Sequence, residues 1–272
     1  MTGEWITDMS QSNDNILVEK DGRVGRFTIN RPDKRNAMSL DMWRRMGEIF
    51  EAWDDDPDIR VIVVRGAGDT CFCAGNDISE FKDLRSTPDG IAAYNKITER
   101  AYAALSGIAK PTIARIEGFC MGGGLEVSQL CDIQIAADTA TFAVTPAKLG
   151  IGYKLDDVRM LTDAVSAKHA KEILFTGRRF PAEDALRWGL VNRVVATADL
   201  DATIDGYVEE IAANAPLSVN AAKLIINEAI KETADRDEAL CTSLVDACNE
   251  SDDYIEGQRA FTEKRKPDFK GR

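Results

Sequence analysis

The sequence holds a single histidine, His169, and six cysteines scattered at positions 71, 73, 120, 131, 241 and 248. One histidine excludes a histidine-rich metal centre, and it excludes a Ser-His-Asp triad built around any other histidine. His169 lies in "SAKHAKEILFTG", where a surface position on a helix is expected. The cysteines are too sparse for a disulfide scaffold and lack paired zinc-knuckle spacing, so they read as structural thiols, and no metal ligand set is expected. No apolar run approaches the roughly 18 residues of a membrane span. The opening "MTGEWITDMSQSNDN" has neither a basic start nor an apolar stretch, which leads to the expectation of a cytoplasmic protein without a membrane partner. Basic residues are also in deficit, with 34 Lys and Arg against 46 Asp and Glu and a net charge of -12. This balance argues against nucleic acid or an anionic membrane surface as partner, while leaving room for a small basic pocket. The glycine-rich stretches match neither a dinucleotide fingerprint nor a phosphate-binding P-loop.

What is present is enough apolar material for a sizeable core: 44% of 272 residues are hydrophobic. "NILVEKDGRVGRFTIN" reads as strand, turn and strand around "DG". After the "RPDKRN" loop, Ser39 can cap a helix in which Leu40, Trp43, Met46, Phe50 and Trp53 recur at helical spacing. "IRVIVVRG" is a continuous apolar run of the kind a parallel sheet buries on both faces. The glycine-containing loop "GAGDTCFCAGNDI" follows it, and Ile91, Tyr94, Ile97, Ala101 and Leu105 outline a second helix. "KPTIARIEG" and "CDIQIAAD" supply strands on either side of the triglycine segment. This alternation predicts an α/β core with right-handed crossovers. Ser166 and Gly177 bracket another helix, Pro181 suits the start of a short one, and "GLVNRVV" reads as a late strand. From about Asp199 the texture becomes helical, so the expected division is an α/β core over 1–198 and a helical region over 199–272. The apolar faces of those last helices suit an oligomer interface or packing within the chain.

"GFCMGGGLEVSQLCD" carries the chemistry. Three glycines precede Leu125 and Glu126, and a helix starting near Gly123 or Gly124 leaves its first N–H groups without intrahelical acceptors. Together with the loop containing Ala74, Gly75, Asn76 and Asp77, such groups can stabilise the oxygen of an enolate formed from a thioester or related carbonyl; a structural turn is the competing reading. Glu126 is the candidate acid or base, with a solvated first-turn carboxylate as the alternative. Asp77, Glu117 and Asp132 are further acids for which strand-edge or capping roles suffice.

Two stretches, "FCAGNDISEF" at 72–81 and "KPTIARIEGFCMGGGLEVSQLCDIQIAADTATFAVTPAKLG" at 110–150, resemble the crotonase superfamily, the enoyl-CoA hydratase/isomerase family. "INRPDKRNAMS" at 29–39 and "AKEILFTGRRFPAEDALRWGLVNRVV" at 170–195 extend the resemblance. It implies a crotonase-like spiral of repeated ββα units with a C-terminal helical trimerisation region. It further implies assembly as a homo-trimer or dimer of trimers, an acyl-CoA thioester substrate, and no cofactor beyond the CoA moiety of that substrate. The implied oxyanion donors are the backbone N–H groups of Asn76 and Gly123, and Glu126 matches the first of two glutamates of typical hydratases. The second glutamate follows a proline in the family pattern, whereas "FAVTPAK" puts Ala147 there. Alanine performs no acid or base catalysis, so two-glutamate syn-hydration is not the expected chemistry. A familiar isomerase base near Lys154 is equally missing, and Asp156 and Asp157 read as exposed or capping acids that could approach the site, for an unusual isomerase, only if the loop bends differently.

"TPAKLGIGYKL" is also similar to the methylmalonyl-CoA decarboxylase branch, a likeness carried by Tyr153. The resemblance implies a CoA path along Lys34, Arg35, Asn36, Ala37, Ala74, Asp77 and Ile78, with Phe261 and Lys264 contributed by this subunit or a neighbour. The expectation is an acyl-CoA lyase working through an enolate, with decarboxylation and a non-catalytic CoA-binding scaffold as alternatives.

Overall fold

β1 (Ile16–Asp21) and β2 (Val24–Ile29) form an antiparallel hairpin with Ile16 opposite Ile29, turning at Gly22 where φ is 58°. The computed structural model describes residues 15–272, so the targeting-segment reading and the N-terminal extension over 1–14 lie outside the described residues. α1 (Leu40–Asp54) starts where Ser39 accepts from the Met42 N–H, as its sequence predicts. It buries Trp43, Met46 and Phe50, side chains that each stabilise by about 2 kcal/mol when fully removed from water.

The chain then repeats one pattern. β3 (Val61–Gly66) is followed by β4 (Cys71–Cys73), then α2 (Phe81–Leu84) and α3 (Pro88–Gly107). β5 (Thr112–Ile116) is followed by β6 (Phe119–Met121) and α4 (Gly123–Leu130). β7 (Ile133–Ala137) is followed by β8 (Thr141–Ala143) and α5 (Leu155–Ala164). The first strand of each pair enters one sheet and the second enters another. With β9 (Phe180–Pro181) and β10 (Arg193–Val195), the six-stranded sheet runs β1-β2-β3-β5-β7-β10 and the four-stranded sheet runs β4-β6-β8-β9. All pairings are parallel except β1 with β2 and β8 with β9. This is the expected α/β spiral of ββα units.

The main core lies between the sheets and under α1 and α3, where Gly47 of α1 lets the helices approach at Ala101. α6 (Ala167–Thr176) has Ser166 as cap and Gly177 as stop, and α7 (Ala182–Trp188) begins directly after Pro181. His169 stacks on Trp188 at the surface, centroids 4.9 Å apart. The change of texture near 199 is the start of α8 (Leu200–Ala213), followed by α9 (Pro216–Ala229), α10 (Glu238–Asn249) and α11 (Asp252–Glu263). α8 lays Leu200, Ile204 and Val208 on Val61, Val63, Ile113 and Ile135, closing the outer face of the large sheet. This explains why β3 is apolar on both sides. Among the described residues, no helix is long and apolar enough to cross a membrane.

Candidate active site

The glycines of the triglycine segment have different structural duties. Gly122 turns the chain from β6 into α4 with φ 52° and ψ -124°, a conformation that a Cβ disfavours. Gly124 presses on β4, where a Cβ would stand 2.2 Å from the Cys73 carbonyl oxygen. Gly123 lies between them against Gly75 of the preceding βα loop: a Cβ on Gly75 would meet the Gly123 nitrogen at 2.9 Å and the Met121 oxygen at 3.0 Å. Two loops at the C-terminal ends of parallel strands thus touch backbone to backbone, bringing Asn76 and Gly123 together.

The loop of Asn76 is held from both sides. Met38 N–H donates to the Gly75 oxygen and Asp77 N–H to the Met38 oxygen, both at 2.8 Å. The Asn76 side-chain oxygen accepts from Trp43 Nε1 at 2.8 Å and from the Tyr94 hydroxyl at 3.0 Å. Its backbone N–H, like that of Gly123, donates to no acceptor among the described residues. Gly123 also heads α4, whose N-terminal end carries partial positive charge. A carbonyl oxygen that gains negative charge can be received there.

Glu126 stands in the first turn of α4 and is 8% exposed. Tyr102 of α3 donates its hydroxyl to Glu126 Oε2 at 2.7 Å. Burial pushes the Glu126 carboxyl above its ordinary range and Asp157 pushes it further, while the Tyr102 and Tyr153 hydroxyls partly restrain the shift. Burial and the adjacent Glu126 likewise raise the Tyr102 and Tyr153 phenols, which stay protonated and able to donate. Glu126 is a buried carboxyl whose ionisation is disfavoured, with two phenols beside it and Asp156 and Asp157 lining the same cavity, and it can hold and release a proton.

A cavity of about 1070 Å³ opens over this group. Ala74, Asn76, Ile78, Gly123, Glu126 and Tyr153 line it, so the structure brings these sequence-selected residues together. Lys34, Arg35, Asn36 and Ala37 belong to the neighbouring loop, while Asp77 follows Asn76 on its own loop. Lys34 and Arg35 are exposed, and the Arg35 carbonyl accepts from Ala74 N–H at 3.0 Å. The Asn36 amide is buried and donates to the Ala67 and Cys71 oxygens, while the Ala37 oxygen accepts from Arg31 at 2.9 Å. Asp77 binds Ser79 and Arg31, which hold its carboxyl below the usual range. Phe261, 87% exposed on α11, and Lys264 at its end do not line the cavity of this chain.

Pro146 lines the cavity but Ala147, next in the same 3-10 turn, is exposed and brings no acid. Glu117 pairs with Arg115 at 2.8 Å, and Asp132 pins Thr112, the structural duties expected of them. Cys71 and Cys73 are buried free thiols that burial raises to about 11 and about 12. Reactive cysteines show the opposite shift.

A sequence model of the family described as enoyl-CoA hydratase/isomerase matches residues 19–272. The chain belongs to the enoyl-CoA hydratase/isomerase family. A short-chain-enoyl-CoA hydratase of Clostridium acetobutylicum is 34% identical over 95% of this chain and 98% of that one. A carnitinyl-CoA dehydratase of Proteus mirabilis is 36% identical over 97% of this chain and 100% of that one. Among solved structures, an enoyl-CoA hydratase/carnithine racemase of Magnetospirillum magneticum superposes with a TM-score of 0.90 at 35% identity, covering 97% of this chain and 98% of that one. The fold is therefore that of the enoyl-CoA hydratase/isomerase family, and the cavity with Glu126 is this member's candidate active site. Sequence reasoning passed over Tyr102 because it sits one position past Ala101 on α3, off the core stripe. The available signal was a tyrosine at the edge of an apolar face.

Proposed function

We propose that this family member acts on an acyl-CoA thioester through an enolate whose oxygen is held by the Asn76 and Gly123 backbone N–H groups. Glu126 handles the proton, and the reaction is a C–O or C–C lyase reaction in place of two-acid hydration. The observation that carries this reading is one buried carboxyl, Glu126, hydrogen-bonded to Tyr102 beside the touching Gly75 and Gly123 loops, with Ala147 where a second acid would stand. One oxyanion donor contributes about 3 kcal/mol to a transition state. The dehydratase name of one relative supports C–O cleavage as the first class to test.

Decarboxylation is the second reading, favoured by the bias of Glu126 towards its neutral form and by Tyr153 beside it. In that step the bond from the α-carbon to the substrate carboxylate breaks and its electron pair forms the thioester enolate. Carbon dioxide leaves and Glu126 returns a proton to the α-carbon. Whatever disfavours the ionised form of Glu126 lessens its repulsion of a substrate carboxylate.

The proposed CoA path runs over Lys34, Arg35, Asn36, Ala37, Ala74, Asp77 and Ile78, a basic side chain meeting phosphate. Phe261 and Lys264 would contribute from a neighbouring copy in a trimer or dimer of trimers. The exposed apolar side chains of Ile226, Ile230, Ile255 and Phe261 support self-association through the C-terminal helices. Light scattering of the purified protein tests the assembly.

The reaction is tested by incubating the protein with matched 2-enoyl-, 3-hydroxyacyl- and carboxylated acyl-CoA panels and following the mass of each product. Loss of water or of carbon dioxide is the expected result. Water addition to a 2-enoyl-CoA is the reverse of water loss from the 3-hydroxyacyl-CoA and would assign the C–O class, while carbon dioxide release would assign the C–C class. Double-bond movement alone would overturn the lyase reading. Saturable binding without turnover across all panels would instead mark a CoA-binding scaffold.

A further inference from the structure

Besides its acids, the cavity holds a cation that has no ion-pair partner among the described residues. Arg85 directly follows α2 and lines the cavity with Phe81, Tyr94 and Asn95. Its guanidinium carbon lies 4.9 Å from the centroids of both the Phe81 and Tyr94 rings, which meet edge to face at 79°. Nη1 donates to the Asn95 side-chain oxygen at 3.3 Å. Among the described residues, no carboxylate pairs with Arg85, and its Nε and Nη2 have no acceptor. The cavity's other lining cation, Lys154, is paired with Glu99.

This arrangement holds the guanidinium plane by two rings and a neutral amide, leaving its fork open. Aromatic faces stabilise a cation without neutralising it, and an open guanidinium fork matches a carboxylate bidentately. The position is also informative. Tyr94, beneath Arg85, donates its hydroxyl to the Asn76 side chain at 3.0 Å. Arg85 is thus one aromatic ring away from the loop assigned to the thioester oxygen.

We propose that Arg85 is a specificity-determining residue that receives a carboxylate on the acyl group, so that the substrates are half-thioesters of CoA with a dicarboxylic acid. The inference rests on the proposed placement of the thioester at Asn76 and Gly123. The pairing orients the acyl group and itself breaks no bond; the proton chemistry stays with Glu126.

The test is calorimetric binding of malonyl-, succinyl- and glutaryl-CoA, each compared with its neutral partner propionyl-, butyryl- or valeryl-CoA. Their common CoA part cancels in the affinity ratio. At least one dicarboxylic thioester is expected to bind about 10- to 100-fold more tightly than its neutral partner, the range of a hydrogen-bonded charge pair. Arg85→Met, which keeps an apolar stem over the rings, is expected to abolish that preference. Arg85→Lys, which keeps the charge without the fork, is expected to retain part of it. Binding of the neutral thioester reports that each variant is folded. Neutral and dicarboxylic thioesters binding wild type equally, or a preference that survives in Arg85→Met, would overturn the proposal and leave the acyl-CoA reading standing. No binding of any thioester would overturn both.

Discussion

Tyr102 donates its hydroxyl hydrogen to Glu126 Oε2 at 2.7 Å, joining α3 to the first turn of α4 across the floor of the cavity. This bond favours the charged carboxylate and so opposes the upward push of burial on Glu126. Tyr102→Phe removes the restraint, and the ionisation assigned to Glu126 moves to higher pH. The readout is the pH dependence of kcat, whose carboxyl limb shifts upward in the variant. A lower rate at every pH with no displacement of the limb would place Tyr102 in packing alone, where its edge contact with Trp43 at 5.3 Å would be its main contribution.

Glu126→Gln keeps the shape of the side chain and an acceptor for Tyr102 but removes the transferable proton. Turnover is expected to fall by about 100-fold or more, with little change in the dissociation constant of CoA itself. Stability gives an independent readout. A carboxyl whose folded value is raised stabilises the fold below its ordinary value of 4.5, and that contribution is lost as pH rises through the folded value. Wild type should therefore lose stability across that window relative to Glu126→Gln, as compared by urea unfolding at acid and neutral pH. Parallel curves would show that the Glu126 carboxyl is not perturbed by its burial.

Adjacent glycines separate folding from binding. At Gly124 a Cβ would collide with the backbone of β4, 2.2 Å from the Cys73 oxygen, and Gly124→Ala is expected to cost about 3 kcal/mol in denaturant unfolding. At Gly123 the nearest atoms to an added Cβ are 3.5 Å away, an ordinary contact, and alanine keeps the N–H. Gly123→Ala should fold like wild type, yet place a methyl between Tyr102 and Asn76 and weaken acyl-CoA binding about tenfold by crowding the site. Equal stability losses in both variants would contradict this division.

Much of this arrangement was legible because local patterns and tertiary demands agree. The Ser39 and Ser166 caps, the Gly177 stop and the two-sided burial of β3 follow from spacing alone. The second sheet did not, since β4, β6 and β8 have three residues each, too few to display alternation. β4 was hidden inside what reads as a glycine loop. Asp157 illustrates the other limit. It caps α5 through the Lys154 N–H at 3.1 Å, as its position suggests, and it also raises the Glu126 carboxyl. That influence depends on where α5 docks, as the reach of Tyr102 depends on α3.

The division near residue 199 has a mechanical test in Lys223, which lies on α9 with its side chain 7% exposed. Its Nζ is 2.8 Å from Asp132 Oδ2 and donates to the Lys110 oxygen at 3.0 Å. The same Asp132 oxygen accepts from the Thr112 N–H at 2.7 Å and hydroxyl at 2.9 Å at the start of β5. One carboxylate thus binds the C-terminal helices to the parallel sheet beside the cavity. Lys223→Met preserves the apolar stem and leaves that charge unpaired. Because the Asp132 side chain retains 30% exposure, the expected loss is about 2 kcal/mol, less than for a fully buried pair. Asp132→Asn in the Lys223→Met background should recover part of it, and the double-mutant cycle measures the coupling. If α8 and α9 fold as one unit with the sheet, urea unfolding of Lys223→Met remains a single transition at a lower midpoint. An early, separate loss of helix would instead mark 199–272 as an independently unfolding segment.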